Sequence, residues 1–203
     1  LQREHPFLNL NIMELRPCKI LPALIAGSAD IAIGCYHPST KEQILQEANK
    51  NGFAIEPVFQ DKMICFLPRN HPLARKKNIT FSQLQECGIP GAVYNDYVRM
   101  DSYDCVVSGE IEENEISNDS FNFTDRSSIK KAVSKGLAYA TLPRLMSYDD
   151  IYVTSGMIIP VSIADTNLKL TLFLAYPVRG NLPHSVTIVL EAIRSIFQRM
   201  TEL

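Results

Sequence analysis

The chain has 203 residues, 46% of them apolar and 21% charged, with 20 Lys and Arg against 22 Asp and Glu. That mixture lies far from the polar, highly charged composition of disordered chains, and at this length roughly 70% of the unfolded surface can be buried, so one domain or two small lobes need no disulfide or metal staple. A formal charge of −2 argues against a nucleic-acid surface on this chain itself, and the longest unbroken apolar runs, Met63–Leu67 and Leu172–Tyr176, are five residues, far short of a membrane span.

Along the chain, short strand-like runs alternate with helix-like ones, the pattern of an α/β fold. Leu8–Leu15 is rich in alternating apolar residues and reads as a strand. Pro17 suits the first turn of a helix, where its missing N–H costs nothing; Leu21, Leu24 and Ile25 give that helix an apolar stripe and Gly27 its stop. Asp30–Gly34 reads as a short buried strand that stops at the glycine. A helix from Ser39 or Thr40 to Lys50 is expected, with Glu42 or Gln43 completing a capping box and Gly52 as the stop. Val58–Leu67 is the next strand, followed by a turn at Arg69–Pro72. Thr80–Leu84 starts a short helix, and Gly88–Tyr94 can return as a strand. Glu110–Asp119 holds five acids in ten positions and reads as a solvated face or sheet edge, since metal ligation wants denser oxygen geometry. Thr124 or Asp125 can cap a helix with Ile129, Ala132 and Val133 inward and Gly136 closing it. Leu137–Leu142 is then a strand ending at Pro143, and Met157–Ile163 and Leu168–Tyr176 are two more. Val186, Val189, Leu190, Ile193, Ile196, Phe197 and Met200 recur at helical spacing with Glu191, Arg194, Gln198 and Arg199 on the other face, which predicts a terminal docking helix.

The chemistry-bearing residues form few patterns. Cys18, Cys35, Cys65, Cys87 and Cys105 are odd in number, at spacings of 17, 30, 22 and 18 residues with no CxxC, so neither a structural zinc site nor a redox dithiol has local support. Free thiols of this kind are usual in a reducing compartment and point to the cytoplasm. His5, His37, His71 and His184 make no metal spacing. No GxSxG, P-loop, GxGxxG or HExxH occurs, and the carboxylate pairs Asp149-Asp150 and Glu112-Glu113 read as surface turns, so an enzyme reading is weak and no cofactor is implied. There is no starting Met and no signal-peptide pattern, and the N-terminus reads as cut or processed.

Five segments, taken in order, resemble the effector-binding domain of LysR-type transcriptional regulators: His5-Pro6-Phe7-Leu8-Asn9-Leu10, Gly27-Ser28-Ala29-Asp30-Ile31-Ala32-Ile33, His71-Pro72-Leu73-Ala74, Lys135 through Pro143, and the closing amphipathic helix. The second is similar to that family's G-x-x-D-[ILV]-[AG]-[IL], the third matches its HPLA turn, and the fourth resembles its V-x-x-G-x-G-x-x-x-L-P with Ala138 where glycine is common. The resemblance implies a two-lobed fold of the type-2 periplasmic-binding-protein kind, each lobe a mixed sheet flanked by helices. The discontinuous lobe would be residues 1–66 and 158–203, and the inserted lobe 67–157, with crossings near Cys65–Leu67 and Tyr152–Met157. A metabolite would bind in the cleft between the lobes. DNA would be contacted only through an N-terminal winged helix-turn-helix that this chain does not carry, as a homodimer, or a tetramer at full length, with no membrane partner. Two departures stand out: the resemblance starts the chain inside the family's first helix, and the stretch from Cys35 to Glu56 is roughly ten residues longer, a cleft flap or a surface helix.

The same resemblance places the effector site. Arg16, Pro17 and Cys18 stand where the family often offers a hydroxyl; Pro17 has no N–H to give an anion, and Arg16 either pairs with an effector carboxylate or is a solvated charge. Cys18, at a helix N-terminus beside Arg16 and Lys19, is either an activated thiol able to sense oxidants or an inert small side chain. On the inserted lobe, Val93, Tyr94 and Asn95 end a cleft strand, and Phe121, Asn122 and Phe123 precede the Asp125 helix; Tyr94 either stacks on ligand or simply packs. The leading expectation is a ligand-sensing regulatory domain, and the alternative is a solute-binding protein of a transporter with the same fold.

Overall fold

The computed structural model of the chain describes residues 1, 3–15, 17–94, 121–123, 125–165, 169–178, 180 and 182–201. Helices and strands alternate along it: α1 (Pro17–Ile25), β1 (Ala32–Tyr36), α2 (Lys41–Lys50), β2 (Phe53–Pro68), β3 (Asn78–Ile79), α3 (Phe81–Gln85), β4 (Ala92–Tyr94), β5 (Phe121–Phe123), α4 (Arg126–Ser134), β6 (Ala140–Pro143), α5 (Ile151–Thr154), β7 (Ile158–Ile163), β8 (Lys169–Pro177) and α6 (His184–Thr201). The α/β class expected from the sequence holds. The chain forms two compact units, Leu1–Gln60 with Thr171–Leu203, and Asp61–Leu170.

In the first unit β1 pairs antiparallel with β8, from Ala32 opposite Ala175 to Tyr36 opposite Thr171, and β8 is followed by β2 in the strand order. α1 and α2 cover one face, where Leu21, Leu24, Ile44 and Ala48 pack against Tyr36, Phe173 and Ala175. α6 covers the other, with Val186 and Leu190 against Leu174 and the Phe197 ring 5.8 Å from that of Phe59. The period of 3.6 thus aimed α6 correctly, except that Ile196 is 48% exposed. α1 starts at Pro17 and ends before Gly27, whose φ of +69° is the left-handed conformation that a helix stop wants.

Three local expectations fail in this unit, each for a tertiary reason. Leu8–Leu15 is irregular, because alternation makes a strand only where a neighbouring strand receives it. Gly34 does not end its strand but sits at the middle of β1, opposite Phe173, whose ring lies on its Cα. The capping box of α2 is absent: the Thr40 side chain makes no cap bond and its Oγ1 donates to the His37 carbonyl, while a 3₁₀ turn at Pro38–Thr40 is capped by His37 Nδ1, which accepts from Ser39 N–H.

In the second unit β2 is flanked by β6 and β7, both antiparallel to it, and β3 runs parallel to β7. Alternation along β2 explains its apolar run. Ile64 and Phe66 enter a core with Ile129, Val133 and Ile158 beneath α4, while Cys65 and Leu67 enter a second core with Ile79, Leu84 and Val161 beneath α3. Both faces are buried, so both registers are apolar. α3 carries a true capping box, Thr80 with Gln83, and α4 is capped by Asp125 and ended by Gly136 at φ +75°. Tyr152–Thr154, expected in a crossing strand, belong to the short helix α5.

The HPLA turn has a structural role. His71 Nδ1 accepts from the Leu73 N–H and its Nε2 lies 3.1 Å from the Cys87 carbonyl, so the ring ties the 3₁₀ turn at Pro72–Arg75 to the chain leaving α3.

Candidate functional site

The residues assigned to the site from sequence fall in both units. In the first, Pro17 occupies the first position of α1, and Leu21 and Leu24 press that helix onto the sheet. Pro22, inside the helix, has no N–H to return to the Cys18 carbonyl, so the first turn is held by packing more than by its own ladder. Arg16 lies outside the described residues, as do the side chains of Pro17 and Cys18.

In the second unit β4 and β5 form a parallel pair with Ala92 opposite Phe121, Val93 opposite Asn122 and Tyr94 opposite Phe123. The pair is anchored at its base. The Ala92 N–H donates to the Tyr139 carbonyl at 2.6 Å, the Tyr139 N–H to Pro90, and the Phe121 N–H to Gly91. Ala92 is buried in the core under α4 and Phe123 packs against that core, whereas Val93 is half-buried and Phe121 and Asn122 are exposed. The Phe121 and Phe123 rings meet edge-on, with centroids 6.4 Å apart at 74°. Tyr94 and Phe123 are the C-terminal residues of the two parallel strands, and α4 begins just beyond Phe123. This is the sheet end at which open α/β sheets bind ligands. An exposed carboxamide beside an aromatic pair at that end can hydrogen-bond a polar ligand and cover an apolar one. Asn95, the Tyr94 side chain and the acidic run Glu110–Asp119 lie outside the described residues.

Of the polar anchors around these strands only the Asp125 cap was legible in the sequence, as one of two choices with Thr124. The Asp125 carboxyl sits below the usual carboxylate range because it accepts from the Ser128 side chain and N–H. Lys130 of α4 donates to Asp150 at 2.6 Å and to the Met146 carbonyl at 2.8 Å, and Asp150 also accepts from the Tyr152 and Val153 N–H groups. Asp150, expected on a surface turn, is therefore a nearly buried cap and ion-pair partner, its side chain 12% exposed. Asp61 is fully buried, accepts from the Leu145 N–H at 2.8 Å and has the Arg144 guanidinium 3.7 Å away. Burial pushes the Tyr139 hydroxyl up to about 12 and carries the Cys65 thiol well above its usual range, so neither ionises near neutral pH.

In the first unit Arg194, expected on the outer face of α6, makes a bidentate pair with Glu56, Nε to Oε1 at 2.8 Å and Nη2 to Oε2, and lies 5.6 Å from the centroid of the Tyr176 ring. The Tyr176 hydroxyl donates to the same carboxylate, which Arg194 first and Tyr176 second hold below the ordinary carboxylate range. A signal for this cluster was present: Glu56 is the one charge between Phe53 and Phe59, an otherwise apolar stretch of β2 where a carboxylate needs a partner. Beside it, Pro57, Val58, Phe59, Gln60 and Thr171 line a shallow depression. Among the described residues no three His, Cys, Asp or Glu side chains converge into a metal site, and no helix is long and apolar enough to cross a membrane.

A family model described as the LysR substrate binding domain matches residues 1–198. The HTH-type transcriptional regulator CysL of Bacillus subtilis (strain 168) is 27% identical over 159 residues, 74% of this chain and 46% of that protein, so the chain spans about half the length of this curated relative. A full-length single-substitution variant of OxyR from Pseudomonas aeruginosa superposes with a TM-score of 0.68 at 17% identity, covering 95% of this chain and 61% of that one. The regulatory domain of MetR from N. meningitidis gives 0.64 at 19% identity, covering 96% and 82%. The effector-binding domain of QuiR in complex with shikimate gives 0.57 at 14% identity, covering 88% and 73%. At these identities the solved structures speak for the fold, which is of the type-2 periplasmic-binding-like kind. The family match favours regulation over the transport alternative.

Proposed function

The chain belongs to the LysR substrate-binding-domain family, and on that premise we propose that it is the effector-sensing part of a transcriptional regulator, which binds a small molecule and passes the bound state to a DNA-binding domain outside this chain. The observation that carries this reading is the family match across residues 1–198, and the absence of a basic excess agrees with DNA contact lying elsewhere. The family is one of regulators, and we assign the chain no catalytic role. Effector contact is assigned to two residue sets, Arg16, Pro17 and Cys18 at the start of α1, and Val93, Tyr94, Asn95, Phe121, Asn122 and Phe123 around β4 and β5. With Arg16 at one set and aromatic rings with a carboxamide at the other, the chemistry fits a carboxylic acid with a ring or hydroxyls; the shikimate bound by QuiR is of that class. We further propose a cytoplasmic homodimer, tetrameric in the full-length regulator, which light scattering on each form checks.

The test is a thermal-shift panel of aromatic, cyclic and hydroxylated carboxylic acids. A true effector at a hundredfold excess over its Kd stabilises the fold by about 2.7 kcal/mol, and Asn122→Ala should weaken that response without lowering the ligand-free Tm. No shift across the panel overturns the carboxylate assignment. Tight, salt-sensitive DNA binding by this chain alone overturns the division of labour.

A further inference from the structure

Connectivity gathers several loops at one end of the second unit. β6 and β7 both run antiparallel to β2, β3 runs parallel to β7, and Gly91, just before β4, bridges in parallel to Tyr139, just before β6. The chain leaving β2 and the chains entering β3, β4, β6 and β7 therefore lie at the same end of the strands. Tyr94 and Phe123 stand at the other, so this end is opposite the β4 and β5 residues of the proposed site.

The charge there is one-sided. Arg69, Arg75, Lys76 and Lys77 lie in the connection from β2 to β3, and Lys135 follows the last turn of α4; all five are exposed. None of the ion pairs among the described residues uses any of them. Among the described residues the loops at this end bring a single acid, Glu86, where α3 stops. The chain as a whole carries −2, so its net charge conceals a local positive excess. The same end shows water two apolar side chains, Leu137 at 57% exposure just after Gly136 and Met157 at 50% at the entry to β7. The backbone that carries these groups is fixed. The Arg69 N–H donates to the Met157 carbonyl at 3.0 Å, the Lys76 N–H to the Leu73 carbonyl at 3.1 Å, and the Leu137 N–H to the Ala132 carbonyl at 3.1 Å, while the His71 ring holds the first connection to Cys87. A surface held in this way needs little further ordering to bind.

We propose that this end of the second unit is a docking surface for an acidic protein segment that carries apolar side chains. Its carboxylates pair with the five cations, and its apolar groups cover Leu137 and Met157; protein interfaces combine these two elements, with Arg and Met favoured. A nucleic acid would satisfy the cations but brings phosphates, with no apolar group, to Leu137 and Met157. The surface is independent of the effector reading and does not compete with a ligand at the opposite end of the strands.

Fluorescence anisotropy of a labelled Asp- and Glu-rich peptide carrying Leu and Ile, titrated with this chain, tests the surface. Binding should weaken at least about tenfold between roughly 50 and 200 mM salt. Arg75→Glu with Lys76→Glu, and independently Lys77→Glu with Lys135→Glu, should each weaken it at least about tenfold, and Leu137→Ser by about three- to fivefold, with Tm unchanged because these side chains are exposed. Lys50→Glu, which reverses an exposed cation of α2 in the first unit, should leave binding unaltered. No binding by the parent chain, or an equal loss from Lys50→Glu, overturns the proposal. So does a peptide with Ser in place of Leu and Ile that binds as well as the original, since charge alone would then suffice. A DNA duplex that binds more tightly than the peptide, and loses that binding in the same charge-reversed variants, also overturns it by giving the surface to nucleic acid.

Discussion

Adding one carbon at Gly34 should damage the first unit more than its chemistry suggests. A Cβ built on Gly34 stands 2.4 Å from Cζ of Phe173 and 2.9 and 3.0 Å from its two Cε atoms. Carbon pairs rest at about 3.5–4.0 Å, so the ring has to retreat by roughly 1 Å. It has little room to do so. Phe173 is 3% exposed, stacks on Tyr36 with centroids 5.6 Å apart, and shares its core with Leu21 and Leu24 of α1. Overpacking of this kind costs about 1–3 kcal/mol, and at about 2–4 °C per kcal/mol for a chain of this size Gly34→Ala should lower Tm by roughly 2–12 °C. Gly34 lies within regular extended β1 and outside the left-handed region, so the backbone itself accepts alanine. The cost should therefore vanish when the ring is removed. In a Phe173→Leu background Gly34→Ala should be neutral or stabilising by up to about 1 kcal/mol, since alanine loses less chain entropy than glycine. Urea unfolding of the four chains in this cycle gives the coupling, expected at about 1 kcal/mol or more. A harmless Gly34→Ala in the parent chain, or two effects that add to within about 0.5 kcal/mol, would refute the reasoning.

Arg194→Met should cost about 1 kcal/mol at pH 7, a figure already reduced for the pair's partial exposure. Because the folded state holds Glu56 below its ordinary value of 4.5, that stability is present above 4.5 and lost as pH falls through the lower folded value, so urea melts should show the cost shrinking in acid; an equal cost at pH 7 and pH 3 would contradict it. Lys130→Met removes one partner of a nearly buried ion pair and should cost about 3 kcal/mol, with partial recovery in the Lys130→Met, Asp150→Asn double variant; a single-variant loss near zero would show the pair to be dispensable. His71→Ala should lose about 1–2 kcal/mol by freeing the Leu73 N–H and the Cys87 carbonyl, and His71→Asn should regain much of it by keeping a capping acceptor; equal melting of both variants would remove the tethering role.

What could be read along the chain was whatever a few neighbouring residues decide. Pro17 opening α1, a short helix starting at Thr80, a cap for α4 at Thr124 or Asp125, Gly27 and Gly136 as stops, and the buried stripe of α6 all depend on a few neighbouring residues, and local pattern found them, while the Thr80–Gln83 capping box came only with the structure. Position in a sheet depends on a partner that can lie anywhere along the chain. Gly34 looked like punctuation because its reason for being glycine is Phe173, across a strand pair. Asp150 looked like a surface turn because Lys130 lies 20 residues away, and Arg194 looked solvated because Glu56 lies 138 away. The candidate site divides along the same line. Val93, Tyr94, Phe121, Asn122 and Phe123 could be named from a resemblance, but only the parallel register of β4 with β5 puts Val93 opposite Asn122 and Tyr94 opposite Phe123. Leu8–Leu15 is the converse case: its alternation specifies one face and leaves the receiving edge unstated, and the segment is irregular. A period-two pattern is therefore half of an interaction, and the other half is a strand edge supplied by residues elsewhere in the chain, by β8 for β1 and by β6 and β7 for β2.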